Sequence, residues 1–177
     1  LAFSGMKSIG KTLLAACSSG ASNIEIRAAM AYGSLMSGIT LANAGLGIVH
    51  GLASPIGGFF NIPHGVVCGT LLAEATKMNI ETLRKQGTVG KRALKKHAEI
   101  GALLVGDKII EEGQIDNYCH KLIEILDNWT QELRIDRLGK YSIKEEDIDK
   151  ILKNTGLKNN PVSLSMDNIK TIIMNRI

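Results

Sequence analysis

The stretch DNYCHKLIEILDNWTQEL, Asp116 to Leu133, decides the fold class. Its apolar residues Tyr118, Leu122, Ile125, Leu126, Trp129 and Leu133 recur at intervals of three and four, the spacing that lines one face of a helix. Asp116 stands where an N-cap belongs, and Trp129 sits inside the stripe, so it reads as core. Outward from this segment the same period continues. Phe3, Met6, Ile9, Leu13, Leu14 and Cys17 form a first helix with Gly20 as its stop, and Ser22 with Glu25 reads as a capping box opening a second, long helix. Towards the end, Ser142 with Glu145 caps a helix carrying Ile148, Ile151 and Leu152 that Gly156 ends, and Ser165 caps the last, with Ile169, Ile172 and Ile173 inward. No alternating apolar and polar run competes for a strand, and no repeat appears. The expectation is an all-α, multi-helix fold over residues 1–177, in a single domain by length.

Composition narrows the partners. A net charge of +4 suggests nucleic acid only if the basic residues gather with aromatic stacking partners. The one basic cluster, KRALKKH from Lys91 to His97, has none, so it reads as a solvated helix face and no nucleic-acid partner is expected. Cys17, Cys68 and Cys119 show no paired metal or redox spacing, which points to reduced, buried thiols and a cytoplasmic protein. The opening LAFSGMKSIGKT lacks the layout of a signal peptide. It starts directly on a helical pattern, without Met, as a piece of a longer chain would.

From Ala28 to Ala73 the only titratable nitrogen bases are two histidines, and Asp, Glu, Lys and Arg are absent. A membrane span is disfavoured: the block is rich in Ala and Gly, holds Ser34, Ser37, Thr40 and Asn43, and has no flanking Lys/Arg cluster. The expectation is a central helix, Ala28 to Val49, packed on all sides, whose small residues Gly33, Ser37, Gly38 and Ala44 let neighbours approach.

Within that block lies GIVHGLASPIGGFFNIPHGVVCG, Gly47 to Gly69, with His50 and His64 fourteen residues apart. Gly45, Gly47 and Gly51 put His50 near a helix end, and Pro55, Gly57 and Gly58 read as a tight connection. Pro63 reads as a first-turn proline, so His64 falls in the first turn of the next helix, where the macrodipole favours the neutral ring that binds a metal. On residues alone two readings stay open: metal ligands, or core histidines bonded to backbone carbonyls.

The run from His50 through Pro63-His64-Gly65 resembles the second signature of the iron-containing, group III alcohol dehydrogenases. The resemblance extends upstream through RAAMAYGSLMSGITLANAGLGIVHG and downstream to NNPVSLSMDNIKTII, covering this chain but only the C-terminal half of a family member. It implies the helical C-terminal domain of the dehydroquinate synthase-like, iron-containing alcohol dehydrogenase fold, with the α/β nucleotide-binding domain outside this chain. It implies a divalent metal, iron or zinc, held by an Asp and three His, with His50 and His64 as two ligands and the Asp and the first His upstream of Leu1. The implied activity is metal-assisted hydride transfer between a small alcohol or aldehyde and NAD or NADP, in a cytoplasmic homo-oligomer. Many members carry a proton-relay His four residues after the first of these ligands, where this chain has Ser54. Phe59 and Phe60 are candidates to line the substrate side of the cleft, against the commoner role of two aromatics in an apolar loop, which is core, and Cys68 reads as packing. Glycerol dehydrogenases and maleylacetate reductases share the implied architecture, and a non-catalytic helical interaction domain is the reading without a metal. The 177 residues alone, with two ligands and no nucleotide-binding turn, are expected to be inactive.

Overall fold

The computed structural model describes residues 1–107, 111–156 and 159–177. Among the described residues all regular structure is helical, with no strand, so the all-α expectation holds. The α-helices in chain order are α1 (Ala2–Ala16), α2 (Ile24–Ala44), α3 (Ile48–Phe59), α4 (His64–Lys85), α5 (Lys91–Val105), α6 (Ile115–Glu132), α7 (Ile148–Lys153) and α8 (Met166–Met174). They fall into two compact units, one of Leu1–Gly45 with Leu94–Leu133, the other of Leu46–Ala93 with Arg134–Ile177.

In the first unit α1 lies along α2. The approach is close because Gly33 faces the Ile9 side chain and a Cβ on Gly5 would stand 2.8 Å from the Cβ of Met36. The α6 stripe packs as its period requires: Tyr118, Leu122 and Leu126 are buried, and Trp129 is half-buried. Gly101 of α5 backs onto the Tyr118 carbonyl, a fit only a residue without Cβ allows. The Tyr118 hydroxyl donates to Asp107 Oδ2 at 2.8 Å, and that bond together with burial raises the phenol's pKa. Leu94 and Ala98 of α5 are buried while Lys91, Arg92, Lys95 and Lys96 are exposed, the solvated basic face read from KRALKKH.

Several boundaries differ from the sequence reading. The N-cap of α2 is Asn23, whose Oδ1 accepts from Glu25 N–H at 2.9 Å and Ile26 N–H at 3.3 Å; Ser22 lies one residue too early to reach them. The predicted helix from Ala28 to Val49 breaks at Gly45, which has φ 74, a region glycine enters without steric cost. Nor is α2 packed on all sides: Gly33 and Met36 are buried, whereas Tyr32, Leu35, Ile39 and Leu41 are exposed and a Cβ on Gly38 would meet open space. Apolar residues all around a helix reveal that its faces avoid water, not that this chain supplies every neighbour. Asp116 lies inside α6, which a 3₁₀ turn at Glu112–Gln114 precedes. Of the three cysteines, none in a disulfide, Cys119 is buried, Cys68 half-buried and Cys17 exposed, so burial of all three is not found.

The second unit is built by α3 on α4, α4 on α8, and α7 on both α3 and α8. Ile48, Leu52, Ile56, Leu71, Ile151 and Ile172 are at most 1 % exposed in its core. Burying each such side chain is worth about 1.5–3 kcal/mol against leaving it in water. The expected connection at Pro55 is helix instead: Pro55 lies within α3, buried with Leu52, Ala53 and Ile56, and this packing outweighs the hydrogen bond that proline cannot donate. Ser142 does not cap α7. It adopts φ 63 at the end of a 3₁₀ turn, and Lys144 N–H bonds to Asp147 Oδ2 at 2.9 Å at the start of the next one. Ser165 caps α8 as read, its Oγ accepting from Asn168 N–H at 3.1 Å. No single helix among the described residues is long and apolar enough to cross a membrane.

Candidate metal centre

Both histidines stand in the first turn of a helix of the second unit. His50 is the third residue of α3, and His64 the first of α4, where Pro63 at φ −60 serves as the N-cap one position earlier than the sequence suggested. Helix starts carry backbone N–H groups without intrahelical partners and the positive end of the macrodipole. The two imidazoles meet with ring centroids 5.5 Å apart and planes tilted by 48°. Two imidazoles on one tetrahedral ion would put their centroids about 5 Å apart, from metal–nitrogen bonds of roughly 2.0–2.1 Å. The pair therefore fits a shared ion.

Burial first, and the neighbouring His64 second, lower the pKa of His50 from its usual 6.5. Its ring is thereby kept neutral, the form that offers a lone pair. A thiol lies beside the pair. Cys68, one turn along α4 from His64, brings Sγ to 3.4 Å from His64 Nε2, and one donor atom from each of His50, His64 and Cys68 lies within 4.8 Å of the others. Burial raises the pKa of the Cys68 thiol.

What holds His50 in place comes from far along the chain. Asn160 Oδ1 accepts from Ile48 N–H at 3.2 Å, satisfying a free donor at the start of α3. Its Nδ2 donates to Asn79 Oδ1 at 2.7 Å and to the Val162 carbonyl at 2.8 Å, and Asn159 N–H bonds to the Leu46 carbonyl at 3.2 Å. Gly51, next to His50, lies against the Gly156 carbonyl with no room for a Cβ. Sequence reasoning gave Asn160 no role; its signal was only the resemblance of NNPVSLSMDNIKTII to a family ending.

Ser54 is exposed and lies one turn after His50, hence on the same side of α3. Phe59 is rotated by about 180° from His50 on the helix, nine residues at roughly 100° each. Its ring is covered by Lys150 Nζ, 4.0 Å from the centroid, and Phe60 is half-buried at the C-cap of α3. The first unit has a groove of about 590 Å³ lined by Lys7, Lys11, Lys95, Glu99 and Asp107 among others. Its opposite charges are interspersed, and it brings no metal-ligating set together.

A sequence model described as "Fe-containing alcohol dehydrogenase family, C-terminal" matches residues 1–177. "Alcohol dehydrogenase 4" of Schizosaccharomyces pombe is 30% identical over 152 residues, covering 84% of this chain and 32% of that protein. "1,3-propanediol dehydrogenase" of Klebsiella pneumoniae is 42% identical over 59 residues, covering 33% of this chain and 15% of the relative. Among solved structures, that of a 1,3-propanediol oxidoreductase superposes with a TM-score of 0.83 at 26% identity, covering 99% of this chain and 44% of the other. The chain thus spans less than half the length of these relatives.

Proposed function

The chain belongs to the iron-containing alcohol dehydrogenase family, to whose C-terminal part it corresponds, and from this we propose that it is the metal-binding helical half of an NAD(P)-dependent alcohol dehydrogenase. The observation that carries the reading is the meeting of His50 and His64, fourteen residues apart in sequence, with ring centroids at 5.5 Å. Two imidazoles suit iron(II) or zinc. A bound ion of this kind supplies Lewis-acid polarisation of an alcohol or aldehyde oxygen.

The chain's own residues have separable tasks. His50 and His64 present lone pairs from two helix starts, and the Asn160 and Gly51 contacts keep the first of these starts fixed. Ser54, exposed on the His50 side of α3, can hand a proton along a water chain but cannot store one near neutral pH as an imidazole would. The nicotinamide cofactor, NAD or NADP, and the two remaining ligands belong to a part of the protein preceding Leu1, so these 177 residues alone are inactive. The relative named for 1,3-propanediol favours a small alcohol or aldehyde as substrate. A homo-oligomer in the cytoplasm completes the reading.

The test uses the protein that carries the nucleotide-binding half. His64→Ala should lower metal affinity by more than the roughly 10–100-fold that loss of an outer-shell partner costs, and abolish nearly all turnover. Metal content by elemental analysis after dialysis, with alcohol oxidation assayed on both cofactors, reads the two effects. Unchanged metal and turnover would leave the helical domain without its assigned chemistry.

A further inference from the structure

We propose that the groove between α1 and α5 binds a singly charged organic anion with an apolar tail, an aliphatic monocarboxylate, whose head lies among the ammonium groups of Lys7, Lys11 and Lys95. The groove lies wholly within the first unit, and the proposal does not depend on the reading of His50 and His64.

The cavity gives the size and the tail. Its volume of about 590 Å³ falls inside the roughly 300–1,000 Å³ that small-molecule sites occupy. The two helices meet where the Leu104 side chain lies against Gly10, at a spot that leaves no room for a Cβ. Beside that contact the lining is apolar: Ala102 is buried, Leu103 is half-buried, and Phe3 adds its ring from the start of α1. A hydrocarbon tail laid on this surface leaves water.

The charges choose the head group. Lys7 and Lys11 stand four residues apart on one face of α1, and Lys95 comes from α5. Like charges at that spacing repel. Among the described residues none of these three lysines is in an ion pair, whereas Lys140 and Lys144 pair with Asp136 and Glu146. Two carboxylates also line the groove, and one of them, Asp107, already accepts from the Tyr118 hydroxyl at 2.8 Å. Three ammonium groups against Glu99 and Asp107 leave one positive charge, which a single carboxylate head neutralises. A phosphate dianion would exceed that charge and be repelled by Glu99 and Asp107, and an amine would meet three like charges.

The experiment titrates octanoate, octan-1-ol and octylamine calorimetrically into the protein that carries the nucleotide-binding half, treated with a chelator and free of nicotinamide. Octanoate should bind with a Kd of about 1 mM or tighter, and the alcohol and the amine at least about tenfold more weakly. Lys7→Gln/Lys11→Gln should weaken octanoate binding at least about tenfold, the scale of losing charge-assisted contacts, while Lys7→Arg/Lys11→Arg should keep it. Glu99→Gln removes an opposing charge and should tighten binding, and added sodium chloride should weaken it. Helix content by circular dichroism should be the same in every variant compared. No octanoate binding, equal binding of octan-1-ol, or an affinity unchanged in Lys7→Gln/Lys11→Gln would overturn the anion site. Octanoate binding lost in His64→Ala and kept in the lysine double variant would place the anion at the histidine pair and overturn it as well.

Discussion

His50 is disfavoured as a proton carrier by its partial burial and by the imidazole of His64. Its pKa in the folded chain lies below 6.5, the value expected for the unfolded chain. Between those two values the unfolded state binds more protons, so stability is fully present above 6.5 and declines as the pH falls through the folded-state value. For the metal-free chain this predicts that thermal unfolding midpoints drop on acidification from pH 7 towards 5 and that His50→Gln flattens the drop. An equally steep profile in His50→Gln would show that other groups carry the acid sensitivity. The location of His64 at a helix start was legible from Pro63, whereas His50, expected at the end of the central helix, opens α3 instead, because the chain breaks at Gly45 and restarts at Ile48.

At the scale of the element, the start of α3 depends on contacts that its own sequence does not contain. Asn160→Ala leaves the Ile48 N–H and the Asn79 side-chain amide each short of a partner, and an unsatisfied buried donor or acceptor costs about 1–3 kcal/mol. Gly51→Ala drives a methyl group into the Gly156 carbonyl, an overpacking cost of about 1–3 kcal/mol. Both variants should lower the unfolding midpoint and weaken metal binding together, because both loosen the helix turn that aims His50. Gly57→Ala on the same helix, where a Cβ meets nothing within 4 Å, should do neither. Chemical unfolding with and without zinc measures both effects, and wild-type metal affinity in Asn160→Ala would separate helix anchoring from site geometry.

For the whole molecule, α2 presents Tyr32, Leu35 and Ile39 at intervals of three and four, all at least 36 % exposed. A continuous apolar stripe in water is an association liability. The 177-residue chain should therefore bind a hydrophobic dye and sediment as a concentration-dependent mixture, and Leu35→Glu/Ile39→Glu should reduce both without loss of helix content. A monodisperse monomer that does not bind the dye would show this surface to be inert.

The sequence alone determined the all-α class, because a period of 3.6 in apolar residues such as Tyr118, Leu122 and Leu126 is a property of each helix by itself. It also determined the Ser165 cap and the candidacy of His50 and His64, since caps and motif spacing are local. Only the tertiary structure decided what surrounds them. That α2 is half-bare, that Pro55 is helical, and that Asn160 reaches back 112 residues to hold Ile48 all depend on which segments arrive beside one another. Periodicity encodes the angle at which a side chain leaves its helix, not the neighbour it will meet. The burial and hydrogen bonds that choose the neighbour exist only once the chain has closed over long sequence separations.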